Sequence, residues 1–414
     1  MLSVTNPEVL ARVGPAEASA DEPAQRSEAA AIDHPSVELA LVTERSAFDA
    51  LEADWNALFE RAGRPSQVFQ TFGWCWHWCN HFLGNATSLA VVTARRDDRL
   101  VMVWPMVLER SALVTQLRWL GEPVSQYGDL VIEDAPDART IITAAWSHAL
   151  AGLQPDLATL RKVREDAAIA PFLTSLAPLQ LGHEEAPYID LTSATDFEAF
   201  EQGLSSKARR NRRRLMRRLE DQGAVRFQTF RKGANAAAVA VRAIAMKRDW
   251  LAARNLLSQT LTDPRTERFF ADAARAAEKL AGCQVSALTV AGTAAGAQVG
   301  IVAKRHLAMH IIVYNLAFEK FGVGCLHLEE AIRQGYRDGL ERIDMLAPRA
   351  DYKIEWADGS VGVVDHAVPL TLSGQVYARG YLALVRKRLA ALIKTQPAPM
   401  IWLRQRGLLA RVGR

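Results

Sequence analysis

The stretch LAMHIIVYNLAFEKFGVGCLHLEEAIRQGYRDG, residues 307–339, sets the terms for the rest of the chain. Its first nine residues are long, apolar and partly β-branched, which predicts a strand. From Cys325 the apolar positions fall at helical spacing, which predicts an amphipathic helix closed by Gly339. Between the two lies EKFGVG. A loop with Gly322 and Gly324 that opens a helix offers free N–H groups and the positive end of the helix dipole to an anion, and phosphate fits that geometry. The next strand, ERIDML, carries the polar Asp344.

Working outward, the chain of 414 residues is long enough for two or more domains, and 49% apolar with 23% charged residues is ordinary globular composition. A net charge of +4 excludes a protein that is basic all over. Four cysteines in this length exclude a disulfide scaffold and suggest reduced thiols in a cytoplasmic protein. No apolar run reaches the roughly 18 residues of a spanning helix, and the first residues lack the pattern of a signal peptide.

Residues 1–36, rich in Ala, Glu, Pro and Ser, read as a disordered leader. A first unit is expected over 37–191: strand VELALVT, a helix from Phe48 to Arg61, two strands around Asp97-Asp98, the loop SQYGDL, a helix near 138–152, and strands at 157–164 and 186–191. A second unit is expected over 192–370, in the same order of helices, antiparallel meander, helix and late strand. The fold class is therefore α/β (α+β), with two tandem units, each a mixed, mostly antiparallel sheet flanked by helices. The tail, 371–414, carries nine Lys or Arg and no acid from Ser373 onward. It reads either as a solvated helix or as an attachment to an anionic membrane surface.

Two further stretches carry chemistry-bearing residues. GWCWHWCNHF places Cys75, His77, Cys79 and His81 at alternate positions, but on a helix these disperse, so a buried aromatic helix without metal is expected. SSKARRNRRRLMRRLEDQG, residues 205–223, holds eight cations between Ser205 and Arg218. Leu204, Ala208, Asn211, Leu215 and Leu219 form one stripe, so this is a helix docked on a core, capped by Ser205 or Ser206 and ended by Gly223. Asn211 on the stripe is expected to pin a nearby loop.

At these residues the sequence resembles a known family. LSSKARRNRRRLMRRLEDQG is similar to the Leu-Ser-x-Lys-x-Arg-x-Asn-x-Arg-Arg segment of CelD-like, BioF2-type acetyltransferase domains, relatives of the FemAB peptidyltransferases. VFQTFGWCWHWCNHF resembles their aromatic helix, and GLERIDMLAPRADYKIEW their late strand with its Tyr-Lys and Trp. EKFGVG resembles the pyrophosphate loop of GNAT acetyltransferases, with Glu319 where that family prefers Arg or Gln.

The resemblance implies two GNAT-like units, the second holding acetyl-CoA or a longer acyl-CoA. Phe321, Gly322, Val323 and Gly324 would cradle its pyrophosphate, and the backbone of Val313, Tyr314 and Asn315 would hold the pantetheine and the thioester. By the same likeness Tyr352 is the candidate acid for the leaving thiolate, and Asp344 the base or acceptor-orienting group. Lys207, Arg209, Arg210, Arg213 and Lys353 are the candidates for binding a phosphate-bearing or glycan-precursor acceptor in a groove between the units. The expected function is N- or O-acyl transfer in exopolysaccharide or cell-envelope synthesis, by a cytoplasmic protein peripheral to the inner membrane face. The alternatives are a FemAB-like transferase using aminoacyl-tRNA, or a non-catalytic membrane-associated assembly factor.

Overall fold

The computed structural model describes residues 37–276 and 281–385. The expected leader and the tail beyond Val385 lie outside the described residues. The first half runs β1 (Glu38–Val42), α1 (Arg45–Asp49), α2 (Glu52–Ala62), α3 (Phe72–Phe82), β2 (Thr87–Leu89), β3 (Val91–Arg96), β4 (Arg99–Trp104), β5 (Met106–Arg110), β6 (Thr115–Trp119), β7 (Val131–Ile132), α4 (Ala138–Leu153), β8 (Leu157–Arg164), α5 (Ala170–Ser175) and β9 (Leu179–Asp190). Asp97 and Asp98 both take positive φ, 50° and 60°, the requirement of a two-residue hairpin between β3 and β4. Pro105, without an N–H to give a ladder, separates β4 from β5. β4 joins a four-stranded sheet with β1, β3 and β7, and β5 joins the main sheet.

The second half runs α6 (Phe197–Gly203), α7 (Ser206–Glu220), β10 (Val225–Phe230), α8 (Gly233–Ala252), α9 (Gln259–Thr262), α10 (Pro264–Arg275), β11 (Ala281–Val290), β12 (Thr293–Ala303), β13 (His306–Tyr314), α11 (Val323–Arg337), β14 (Arg342–Asp344), α12 (Asp351–Ile354), β15 (Gly359–Pro369) and α13 (Leu372–Val376). Each half places a parallel strand after its helix: β8 pairs with β6, and β14 with β13. The closing strands are exchanged. β9, from the first half, pairs with β14, and β15, from the second, pairs with β8. The result is one sheet of eleven strands, β10-β11-β12-β13-β14-β9-β15-β8-β6-β5-β2, running through both halves. Past α13, Ala378 and Leu382 pack on Leu157, Leu181 and Ala367, so the start of the tail docks on this sheet.

The aromatic stretch is the buried helix α3. Burial pushes the Cys79 thiol up to about 12 and the Cys75 thiol well above its usual value, so both stay protonated. Among the described residues no group of three or more His, Cys, Asp or Glu is placed to hold a metal. Also among them, no helix is long and apolar enough to cross a membrane.

The basic run is helix α7, with the Ser205 hydroxyl accepting from the Ala208 N–H at 3.2 Å. Its buried stripe differs from the expected one by one residue. Asn211 is exposed and accepts from Arg214, while Arg212 is 6% exposed. Spacings of i+3 and i+4 both continue a helical stripe from Ala208, and the choice fell to Arg212 because a partner waits there. Its guanidinium pairs with Glu329 and lies 4.6 Å over the Trp356 ring. Two of the family-like segments thus meet at one contact.

Gly322 has φ +67°, and a Cβ on it would stand 2.8 Å from the Leu215 Cδ1 of α7. Gly322→Ala is therefore expected to lower the unfolding free energy by about 1–3 kcal/mol, read from urea unfolding; wild-type stability would mean that the two elements do not pack so closely.

Candidate functional site

β13 and β14 pair over only three residue couples, His306 to Ala308 with Arg342 to Asp344. Beyond them the strands separate. The divergence begins at a bulge, where Val299 faces Ile311 and Gly300 faces Met309, leaving His310 as the extra residue. A bulge bends and twists its strand locally, which turns β13 away from β14. Val313 stands opposite Ala297, and the Asn315 N–H donates to the Ala295 carbonyl at 2.8 Å. Backbone N–H groups alternate sides along a strand, so those of Val313 and Asn315 are taken up by β12. The N–H groups of Ile312 and Tyr314 point into the fork. Of the three residues expected to present N–H groups there, Tyr314 alone does so, and Ile312 joins it.

The loop after β13 ends at the open side of the fork. Cys325 and Leu326 donate to the Gly322 carbonyl at 3.0 and 3.2 Å, which leaves Val323 and Gly324 with the unclaimed N–H groups of the first turn of α11. Phe321, by contrast, is buried against α7 and α11. Glu319 accepts from the Tyr314 hydroxyl at 2.9 Å and pairs with Arg254, whose guanidinium lies 4.0 Å over the Trp250 ring. Arg254 thus brings a cation to the place where the acidic Glu319 departs from the GNAT preference. Nothing in the sequence pairs it with a residue 65 positions later.

At the closed end, the carboxylate of Asp344 is fully engaged. It accepts from the Tyr127 hydroxyl at 2.8 and 2.9 Å, from Arg164 at 2.8 Å and from the Leu346 N–H at 2.8 Å. Burial pushes its pKa above the usual carboxylate value, against the pull of Arg164 and these donors. Lys353 is buried too. Its ammonium donates to the Leu346 and Pro348 carbonyls at 2.7 and 2.8 Å, and burial lowers its pKa to about 8. Both residues hold the turn after β14 in place. Tyr352 is 48% exposed, and the neighbours covering its other side push its hydroxyl above the usual value.

The first half supplies the cover. Trp74 and Trp78 of α3 donate to the Ser125 hydroxyl and the Glu122 carbonyl at 2.9 and 2.8 Å, fixing the loop of residues 120–130. Lys162 reinforces the loop by donating to Gln126 at 2.6 Å. From this loop the Val124 carbonyl accepts from His310 at 2.6 Å, and Tyr127 reaches Asp344. The fork of the second half is closed by a loop of the first.

Between the halves, at the closed end, lies a cavity of about 350 Å³ lined by Arg64, Arg164, Arg342, His306, Tyr127 and Asp344, among others. His306 and Ala308 of β13 and Arg342 and Asp344 of β14 share this side of the sheet. Leu307, Met309, Ile343 and Met345 point to the other side, into the core under α11. Helix α7 packs on that other side, with Leu219 against Leu288 and Leu326. Lys207, Arg209, Arg210 and Arg213 therefore do not face the cavity between the halves, contrary to expectation. The guanidinium of Arg209 donates to the carbonyls of Glu201, Gln202 and Leu204 at 2.7–3.2 Å, capping α6, and Arg213 pairs with Glu201 at 3.2 Å. The cations that do face the cavity come from scattered positions and form no run in the sequence.

Residues 206–354 match the family model described as an acetyltransferase (GNAT) domain. No curated protein matches the chain. Among solved structures, FemX is similar with a TM-score of 0.57 at 8% identity, over 83% of this chain and 100% of that one. A tandem GNAT protein from the clavulanic acid biosynthesis pathway has a TM-score of 0.47 at 13% identity, over 80% and 98% of the two chains. The C-terminal domain of a putative lysylphosphatidylglycerol synthetase from Agrobacterium fabrum has 0.49 at 11%, over 80% and 95%. The fold is a mixed α/β one of two GNAT-like units, and the second unit carries the matched acetyltransferase segment.

Proposed function

We propose that the chain is an acyl-CoA-dependent N- or O-acyltransferase of the CelD-like, BioF2 type, with acyl-CoA in the fork of the second half and the acceptor in the cavity between the halves. The observation that carries this reading is the fork itself: β13 and β14 part at the His310 bulge and leave the Ile312 and Tyr314 N–H groups on an open edge that leads to the N-terminus of α11. Those two N–H groups would hold the pantetheine, and Val323 and Gly324 the pyrophosphate. The thioester would then lie towards the bulge, and the acceptor would reach its carbonyl carbon from the opposite side of the sheet. Attack forms the new C–N or C–O bond and breaks the C–S bond, and the acceptor's own N–H or O–H proton passes to solvent. Tyr352 is the candidate donor of the proton the thiolate takes up. Asp344, with every oxygen engaged, positions Tyr127 and Arg164 around the acceptor. Arg64, Arg164 and Arg342 favour an acceptor with an anionic group, such as a phosphate-bearing glycan precursor of envelope or exopolysaccharide synthesis.

Calorimetric titration of the full chain with acetyl-CoA and a longer acyl-CoA tests the reading. Binding with a dissociation constant of about 1 µM to 1 mM is expected. No binding of either at millimolar concentration, or salt-dependent binding of tRNA in its place, would sink it.

A further inference from the structure

Helix α7 and helix α11 bound a second cavity, of about 960 Å³, over β10 and β11. Its walls are of two kinds. The rim carries Arg210, Arg213, Arg214 and Arg217, and the floor is apolar, formed by Met216, Val225, Phe227 and Leu288. The acids that share it are largely engaged with cations: Glu201 with Arg213, Glu329 with Arg212, and Glu330 with Arg333 at 3.4 Å. Arg212, also in its lining, is 6% exposed and is held in the wall by its ion pair with Glu329 and by the Trp356 ring.

The geometry points to a binding site, separate from the acyl-CoA fork and the acceptor cavity, for a phosphate ester that carries an apolar chain. The phosphate accepts from the rim arginines, whose planar forks suit its oxygens. The chain covers the half-buried Met216, Val225 and Phe227, removing apolar surface from water. A bare phosphate leaves that floor exposed, and an uncharged chain leaves the rim arginines without an anion, so the site selects for both parts. The same ester chemistry is found in a soluble phosphate ester and in a phosphatidic acid headgroup.

The test uses the full chain and decyl phosphate below its micelle concentration, with inorganic phosphate and decanol as controls. Wild type is expected to bind decyl phosphate and to bind each control more weakly by about tenfold or more. The double variant Arg210→Glu, Arg217→Glu, both at exposed positions, is expected to lose about tenfold or more of the decyl phosphate affinity while keeping its unfolding transition and its affinity for acetyl-CoA. Cosedimentation with phosphatidic acid vesicles over phosphatidylcholine vesicles, reduced in the variant, identifies the lipid as the source; vesicle binding equal in both proteins identifies a soluble ester. The proposal is overturned if decyl phosphate fails to bind, binds both proteins equally, or binds no better than inorganic phosphate. It is also overturned if the variant loses acetyl-CoA affinity in parallel, since the arginines would then serve the cofactor.

Discussion

Asp344→Ala is expected to lower the unfolding free energy by about 3–5 kcal/mol, the cost of removing one partner from a buried ion pair and leaving the other uncompensated. Arg164 would keep Asp166, at 2.8 Å, but lose the carboxylate at its Nη1. The Tyr127 hydroxyl and the Leu346 N–H would lose their acceptor in the same step. The damage therefore falls on the joint between the loop of residues 120–130 and the turn after β14. Asp344→Asn keeps the shape and one carbonyl acceptor, so it should cost less than the alanine variant. Urea unfolding gives the stabilities, and titration with acetyl-CoA separates a folding defect from a binding one. Should Asp344→Asn unfold like wild type and bind acetyl-CoA normally yet turn over no acceptor, Asp344 would be the proton acceptor after all.

The second large effect is with pH. Burial lowers the pKa of His310 to about 4 and that of His327 to about 3. His310 gives a hydrogen bond to the Val124 carbonyl, and His327, wholly buried, shares one of 2.8 Å with the Ser286 hydroxyl. In the unfolded chain both titrate near 6.5. Below that value the unfolded state takes up protons that the native state refuses, so stability is fully present above pH 6.5 and is lost as pH falls. For His310 the loss runs to about pH 4, and for His327 to about pH 3. Where both apply, the slope is about 2.7 kcal/mol per pH unit. Urea unfolding at pH 7, 6 and 5 should show it, and the slope should be roughly halved in His327→Gln. A flat profile between pH 6.5 and 5 would mean that neither ring is held neutral.

Local patterns reached far into the fold. The β13–loop–α11 unit, the aromatic helix α3, the Asp97-Asp98 hairpin and the Ser205 cap were all legible, because each depends on residues a few positions apart. The long strand β15 and the short β6 were missed, and the late strand ERIDML shrank to Arg342–Asp344. Their edges are set by what lies alongside.

The site divided along the same line. The glycines, the polar end of β14 and the Tyr-Lys pair were readable as a sequence. The fork was not, since it needs a bulge at His310 and a parallel partner that stays for only three couples. Asp344 looked free because Tyr127, which occupies it, is 217 residues earlier. Sequence by itself determined the helices α3, α7 and α11, the strand β13 and where the chain could present N–H groups to an anion, since spacing, glycines and caps act within a turn or two. Only the tertiary structure decided that the halves exchange their closing strands, that Arg212 rather than Asn211 is buried, and that the basic helix sits across the sheet from the cavity between the halves. A buried charge or an open strand edge is tolerated only where a distant partner meets it, and those partners come together only in the folded chain.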